Sequence, residues 1–346
     1  MLISAFNEEL FLEKSLRSIA QSTYPEERLE ILVGSDASTD NTNAILQRLQ
    51  GEIPNLKPFL FTHRQGKPAV LNHLVEQSTG EILVFMDADT VIAPGTIAAL
   101  VHSLSPDPVG CADAALQIAE RQHLEQKYYN FDRWLKSLEG QLGVVPSLYG
   151  PCYAMKRFLF TPFPTNRLVM DDVYRSLMTL AQGKQICHAS EAYATELAPR
   201  NLAAEFRRRI RYSAGGLQAI RLFLEHRRPL PFLAWYALLS HKFLRWINLG
   251  VFLLLFALAL SLSATSSFYT TIAYVQLAGV MIATVGGLTY RLFRFKIPIC
   301  YHLFYFFAMA MGLFIGVFQA LRPTPPFWRP PQRVQAESNR SATAAM

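Results

Sequence analysis

The sequence lacks any pairing of its cysteines. The four, Cys111, Cys152, Cys187 and Cys300, stand singly along 346 residues, without the close spacing of a zinc site or a redox motif. A reducing, cytoplasmic compartment is therefore expected for the first part of the chain. A secretory signal is also missing from the N-terminus, which is polar and acidic within its first ten residues. The tail beyond Arg333, "VQAESNRSATAAM", has too little apolar content to build a core and is expected to be disordered. Charge is absent from three long runs: "INLGVFLLLFALALSLS" from Ile247, "IAYVQLAGVMIATVGGLTY" and "ICYHLFYFFAMAMGLFIGVFQAL". Each approaches the ~20 apolar residues that cross a hydrocarbon core about 30 Å thick. Three in succession after a polar first half speak against a buried soluble core.

The formal net charge of +7 would suit a nucleic acid, but the basic residues gather beside the apolar runs, in "FRRRIRY", "RLFLEHRRP", "HKFLRW" and "RLFRFK". That placement fits anionic head groups and the excess of Lys and Arg on cytoplasmic flanks, so no nucleic-acid partner is expected.

The first half alternates short apolar runs with helical patterns. "LEILVGS", "LKPFLFT" and "EILVFMDAD" read as strands, and "EELFLEKSLRSIAQ" and "KPAVLNHLVEQ" as helices between them. Continuous apolar strands with intervening helices predict an α/β fold with a mostly parallel sheet covered on both faces. Ligands of such sheets gather beyond the strands' carboxyl ends, which singles out Asn7, Asp36, Arg64, Lys67, Asp87 and Asp89. Residues from about 107 to 141 read as a loop and a long helix, and "DDVYRSLMTLAQGKQICHASEA" as a helix leading to one more strand.

The sharpest motif is "VFMDADT", whose Asp87 and Asp89 end an apolar strand one residue apart. Carboxylates so placed suit a divalent cation shared with phosphate oxygens, as Mg²⁺ prefers; Asp89 could equally cap a following helix. Asp36, in "VGSDASTDNT", stands where a carboxylate can accept from a ribose hydroxyl or a base N–H. Ser38, Thr39 and Asp40 are ordinary capping types. Arg64 and Lys67 flank Gly66 and suit a nucleotide's phosphates, or else a solvated turn. Asp171 and Asp172 open a helix side by side. Their repulsion can raise one pKa toward that of a general base, although acids at a helix N-terminus are also favoured by its dipole. Arg209 and Arg211 stand two apart before Tyr212, either in the site or on a basic helix at the membrane surface.

Taken together and in order, these segments resemble the membrane-bound branch of glycosyltransferase family 2, which includes the cellulose, hyaluronan and poly-N-acetylglucosamine synthases. "SAFNEE", with Ala5, Asn7 and Glu8, is similar to that family's "P-x-Y-N-E"; "DASTD" to its "D-G-S-T-D"; "GKPAVLN" to "G-K-x-x-A-L-N"; and "GPCYAMKR" to "G-A-x-Y-A-I-R-R". "SHKFLRW" looks like its approach to the membrane region. The resemblance reaches to about Arg333.

It implies a GT-A nucleotide-sugar-binding domain at residues 1–225, a connector at 226–246, two to three spans within 247–321 and a tail at 322–346. It further implies an inverting transfer from a UDP-linked or similar donor to a glycan or lipid-linked hydroxyl, in envelope or extracellular polysaccharide synthesis. Asp36 would meet the nucleoside, and Lys67, Arg64, Arg209 and Arg211 the diphosphate region. Asp89 with Asp87 would hold Mg²⁺ or Mn²⁺, Asp172 beside Asp171 would take the acceptor proton, and Tyr212 would stack on the acceptor sugar. The family's "Q-x-x-R-W" reads "RRIRY" here, with Arg208 for Gln and Tyr212 for Trp, so one or a few sugars are expected rather than a polymer. The rival readings are transfer to a polyprenyl phosphate, which needs no general base, and a non-catalytic membrane subunit. Charge places the catalytic domain and residues 291–296 in the cytoplasm and "SATSSFYTT" outside, in a multi-pass protein of the cell membrane; three full crossings put "PPFWRPPQR" outside as well. Because "MLISAFNEE" begins inside a strand pattern, the first strand is expected to be very short or the working protein longer than this chain.

Overall fold

A computed structural model describes residues 1–118, 123–165, 169–197 and 202–322. The segment with Trp328 and the tail beyond Arg333 lie outside the described residues.

The chain runs β1 (Leu2–Ala5), α1 (Leu12–Ala20), β2 (Ile31–Asp36), α2 (Thr42–Glu52), β3 (Leu56–Phe61), α3 (Lys67–Gln77) and β4 (Ile82–Asp87). It continues through β5 (Thr90–Ile92), α4 (Thr96–Ser103), β6 (Val109–Ile118), α5 (His123–Gln141), β7 (Cys152–Lys156), α6 (Asp171–Ala181) and β8 (Gln185–Glu196). The helical end comprises α7 (Leu202–Glu225), α8 (Phe232–Ala237), a π-helical turn (Leu238–Phe243), α9 (Leu244–Leu262), α10 (Ser267–Phe293) and α11 (Pro298–Gln319).

One eight-stranded sheet has the order β3-β2-β1-β4-β7-β6-β8-β5. The expectation of a mostly parallel sheet holds only in its first half. Strands β3, β2, β1 and β4 are parallel, β7 enters antiparallel to β4 and to β6, β8 runs parallel to β6, and β5 antiparallel to β8. The sheet is therefore mixed. Side chains alternate across it as strand geometry requires. Leu2, Leu32, Leu83 and Phe85 face α3, α6 and α7, while Ile3, Val33, Val84 and Met86 face α1, α2 and α4.

Strand β6 was not legible as one. The segment "VGCADAALQI", expected to be loop, is rich in alanine and weak in β-propensity. It pairs because β7 and β8 flank it and its buried Ala112, Ala114 and Ala115 let the helices pack closely.

Three helices are long and apolar enough to cross a membrane: Phe232–Leu262, which includes the π turn, Ser267–Phe293 and Pro298–Gln319. The first begins before residue 247, within the expected connector. Helix α11 packs along α7. There the Ser213 hydroxyl donates to the Leu313 carbonyl at 2.7 Å and the Gln218 amide to that of Ala320 at 2.7 Å. A side chain at Gly316 would overlap the Ser213 hydroxyl and the Ile210 carbonyl, whereas Gly279 on α10 faces open space. Gly316→Leu is therefore expected to cost about 1–3 kcal/mol by overpacking. The check is the midpoint of heat-induced aggregation in detergent, which should fall for Gly316→Leu and stay near that of the unsubstituted chain for Gly279→Leu.

Candidate active site

The carboxyl ends of β1, β2 and β4 meet at one edge of the sheet, and the loops that follow them are stapled together. Asn7 has a left-handed backbone, φ 55°, and its side-chain oxygen accepts the Thr39 N–H at 2.8 Å. Its own N–H donates to the Ser38 hydroxyl at 3.1 Å, and that of Glu8 to the Thr42 hydroxyl at 2.9 Å. Ala5 is fully buried at the end of β1. Asn7 and Glu8 thus tie the loop after β1 to the loop after β2, with the Asn7 amide already occupied by the neighbouring loop.

Asp36 ends β2 and is only 2% exposed. Its two oxygens accept the N–H groups of Gln65 at 2.6 Å and Gly66 at 2.9 Å. Gly66 has φ 88°, which an L side chain would adopt only with strain, and this turn brings both N–H groups onto the carboxylate. The guanidinium of Arg64 lies 3.7 Å from the centre of the Phe6 ring, with its Nε 3.9 Å from Asp36. Arg64 is thereby fixed beside Asp36.

Lys67, the first residue of α3, joins the two acidic motifs. Its ammonium lies 2.8 Å from Asp87 and 2.7 Å from Asp171. Removal from bulk water opposes its charge, yet the two carboxylates hold its pKa well above the usual lysine value. Asp87 is pushed up by burial and by the nearby Asp89 and Asp171 carboxylates, against the pull of Lys67. Burial also works against Asp171, but Lys67 outweighs it and holds this carboxyl below the ordinary range. Asp89 does not cap a helix: the next residues form β5, and α4 starts only at Thr96. Its half-buried side chain stands two residues beyond β4, and its carbonyl accepts the Leu197 N–H at 2.9 Å.

Asp172 has a different environment from its neighbour. One oxygen accepts the Ser147 hydroxyl at 3.0 Å and the other the Val173 N–H at 2.9 Å. Burial, and then the adjacent Asp171 charge, raise its pKa. It lines a cavity of about 120 Å³ together with residues of α5, α7, the π-helical turn, α9 and α11, among them Lys136, Tyr212, Lys242 and Leu313. Within this wall Arg209 pairs with Glu205 on its own helix at 2.9 Å. Arg208 donates to the Tyr212 hydroxyl and lies 3.1 Å from Glu196. Arg211 of α7 is near enough to Asp87 and Asp171 for their charges to act on it.

The α5 side of the cavity carries residues that no motif marked. Lys136 is 1% exposed, 3.1 Å from Asp113 and 3.4 Å from the centre of the Tyr149 ring. Asp132 is shared by Arg245 at 3.2 Å, His241 at 3.3 Å and the Tyr149 hydroxyl at 2.9 Å. The recoverable signal was spacing: Asp132, Lys136 and Glu139 fall at i, i+4 and i+7, a polar stripe turned inward.

Residues 1–160 match the family model for glycosyl transferase family 2. Among curated proteins, the chain is 31% identical over 103 residues to the GalNAc(5)-diNAcBac-PP-undecaprenol beta-1,3-glucosyltransferase of Campylobacter jejuni, over 30% of this chain and 33% of that protein. It is 27% identical over 157 residues to the beta-monoglucosyldiacylglycerol synthase of Nostoc, over 43% of this chain and 34% of that protein. The chain thus spans about a third of the length of these relatives. Among solved structures, the mannosyltransferase PcManGT of Pyrobaculum calidifontis, in complex with GDP-Man and Mn²⁺, superposes with a TM-score of 0.69 at 23% identity, over 92% of this chain and 86% of that one. That likeness is one of fold, and with it the GT-A arrangement of the mixed sheet is shown. The family match covers β1 to β7, the segment that carries Asp36, Lys67, Asp87 and Asp89 at the ends of β2 and β4 and the start of α3, and residues 1–160 form a glycosyl transferase family 2 domain.

Proposed function

We propose that the protein is a membrane-embedded, inverting glycosyltransferase that moves a sugar from a nucleotide donor to a lipid or lipid-linked acceptor. The observation that carries this reading is the cavity beside Asp172, walled on one side by the catalytic domain and on the other by Lys242, Arg245, Trp246 and Leu313 of the apolar helices. An acceptor reaching Asp172 through that wall arrives from the membrane. The relatives' names, which specify an undecaprenol-linked glycan and a diacylglycerol, are in keeping with it.

In this reading the donor nucleotide lies over Asp36 and Arg64, and its diphosphate draws Lys67 and Arg211. Asp87 and Asp89 fit a divalent cation, Mg²⁺ or Mn²⁺. Among the described residues no cage of three or more His, Cys, Asp or Glu surrounds them. Two carboxylates with the remaining positions left to phosphate oxygens and water are what Mg²⁺ accepts at such sites. The cation would neutralise charge growing on the departing diphosphate. The chain's own residues do the rest: Lys67 and Arg211 offset the diphosphate, Asp172 takes the acceptor proton, and Ser147 orients it. The attacking oxygen bonds to the anomeric carbon as the bond to the diphosphate breaks, which inverts that centre.

A second reading, transfer to a polyprenyl phosphate, rests on Lys242. Its ammonium makes no hydrogen bond or ion pair among the described residues while sharing the cavity with Asp172. An acceptor phosphate would fit that unmatched charge. The deciding experiment reconstitutes the chain in liposomes with radiolabelled nucleotide sugars and Mg²⁺ or Mn²⁺, and supplies either a lipid with a free hydroxyl or a polyprenyl phosphate. Label that stays in the aqueous phase with both would overturn the lipid-acceptor reading.

Charge on the flanks orients the catalytic domain to the cytoplasm, with residues 263–271 outside. A cysteine at position 266 should react with an impermeant maleimide in intact cells.

Arginine and lysine also differ here. A planar guanidinium binds phosphate oxygens in pairs, which a point charge does not. Arg211→Lys is expected to lower turnover by about 1.5–3 kcal/mol, roughly ten- to a hundredfold, the scale of one charge-assisted contact. Arg207→Lys, on the exposed face of α7, should change it less than twofold, within about 0.5 kcal/mol. Equal tolerance in a turnover assay would return α7 to a surface role.

A further inference from the structure

Helix α5 has two faces of opposite character. Asp132, Lys136 and Glu139 are buried against the cavity wall. The other side exposes Phe131 (56%), Trp134 (56%), Leu138 (37%) and, just past the helix, Leu142 (58%). The spacing of three, four and four residues puts these on one stripe. The Phe131 and Trp134 rings touch, with centroids 5.7 Å apart. A stripe of four large apolar side chains in water is costly at ~25 cal/mol per Å² unless something covers it.

The contacts of the inner face indicate what does. Glu139 accepts from His241 at 2.7 Å, and Asp132 binds Arg245 at 3.2 Å. Both partners belong to the first apolar helix, Phe232–Leu262, and Arg245 stands two residues before its charge-free run begins at Ile247. Phe131 adjoins Asp132, so the aromatic pair sits beside the point where the first span passes from polar to apolar. Trp and other aromatics concentrate at that depth because one end of the ring prefers hydrocarbon and the other water. Arg133, between the two rings in sequence and donating to the Asn130 side chain at 2.8 Å, adds a positive charge at the same place.

We propose that α5 lies on the membrane, with Phe131 and Trp134 in the headgroup boundary and Leu138 and Leu142 continuing the contact. The partner is a lipid surface; the inference rests on the proposed reading that the three apolar helices span the membrane, whose contact α5 would extend. Since Asp132 and Lys136 of the same helix line the cavity beside Asp172, lipid contact on the outer face of α5 holds that cavity against the bilayer. This contact does not depend on the identity of the sugar or the acceptor.

The test uses the full chain reconstituted in vesicles of phosphatidylcholine and phosphatidylglycerol. An environment-sensitive fluorophore is attached at Trp134→Cys, at Leu138→Cys and, as a control on the exposed surface of α2, at Gly51→Cys; the labelled unsubstituted chain gives the background of native cysteines. Lipids brominated in their upper acyl chain replace the ordinary ones. At a depth of about 5–10 Å the label should lose roughly half its emission at 134 and 138, and none at 51. Emission at 134 and 138 equal to that at 51 would overturn the proposal by placing the stripe in water. Blue-shifted emission that brominated lipid does not quench would overturn it too, by placing the stripe against protein, whether a second copy or another chain. If Trp134→Cys does not fold, the label at 138 decides.

Discussion

Asp172→Asn is expected to abolish sugar transfer to a hydroxyl acceptor while leaving nucleotide binding close to normal. The substitution is nearly isosteric and keeps an oxygen that can accept from Ser147, so the 3.0 Å contact survives. What is lost is a base: a carboxamide cannot take up the acceptor proton. General-base assistance is worth about 10²–10⁴-fold in rate, and the loss should fall in that range. It should appear in turnover, with donor affinity by calorimetry changed by less than about threefold, or ~0.7 kcal/mol. The same assignment predicts a pH dependence. Burial and the adjacent Asp171 raise the pKa of Asp172, and only the deprotonated form acts as a base. Activity therefore falls as pH drops through that raised value, and its acid limb lies above the ~3.9 of an ordinary aspartate. An acid limb left unchanged in Asp172→Asn would assign the titration to another group. Full transfer by Asp172→Asn to a polyprenyl phosphate, an acceptor that is already an anion, would favour the second reading instead.

Asp89→Ala should be equally severe and differ in kind. The side chain stands two residues beyond β4, close enough to Asp87 for the two charges to interact, and Asp87 itself lies 2.8 Å from Lys67. In the proposed reading Asp89 holds the cation against a donor diphosphate. Lewis-acid stabilisation is worth several kcal/mol, which corresponds to a loss on the order of 10³-fold or more. Excess chelator should imitate the substitution in the unsubstituted protein, and added Mg²⁺ or Mn²⁺ should restore it. Nucleotide release that proceeds at full rate in chelator would rule out the assignment of Asp87 and Asp89 to a cation. Donor affinity separates the two variants: it should weaken in Asp89→Ala and hold in Asp172→Asn.

Much was readable along the chain because it is local. The ends of β2 and β4, the turn at Gly66 and the three long apolar runs are each written in one short stretch of sequence, and a strand's carboxyl end announces where its polar residues emerge. The N-terminal half of the sheet therefore followed from pattern, and so did the family of the domain. Strand β6 did not, because an alanine-rich run carries almost no strand signal by itself, and only β7 and β8 on either side supply the pairing. The residues alone likewise left open which of Asp171 and Asp172 has the raised pKa, and only the family resemblance pointed to Asp172. The two are adjacent and chemically identical, and what separates them is that Lys67, 104 and 105 positions earlier, reaches one and not the other. Nothing in the sequence tied the polar stripe of α5 to partners, for the same reason. Its partners, His241 and Arg245, lie more than a hundred residues away on a helix whose own pattern says only that it enters a membrane. Composition and local period thus determined the class, the apolar helices and the candidate carboxylates. Which carboxyl is lowered by Lys67 and which is raised by burial, and that the cavity beside Asp172 is lined by residues of the apolar helices, was decided by tertiary packing, because electrostatic environment depends on neighbours in space.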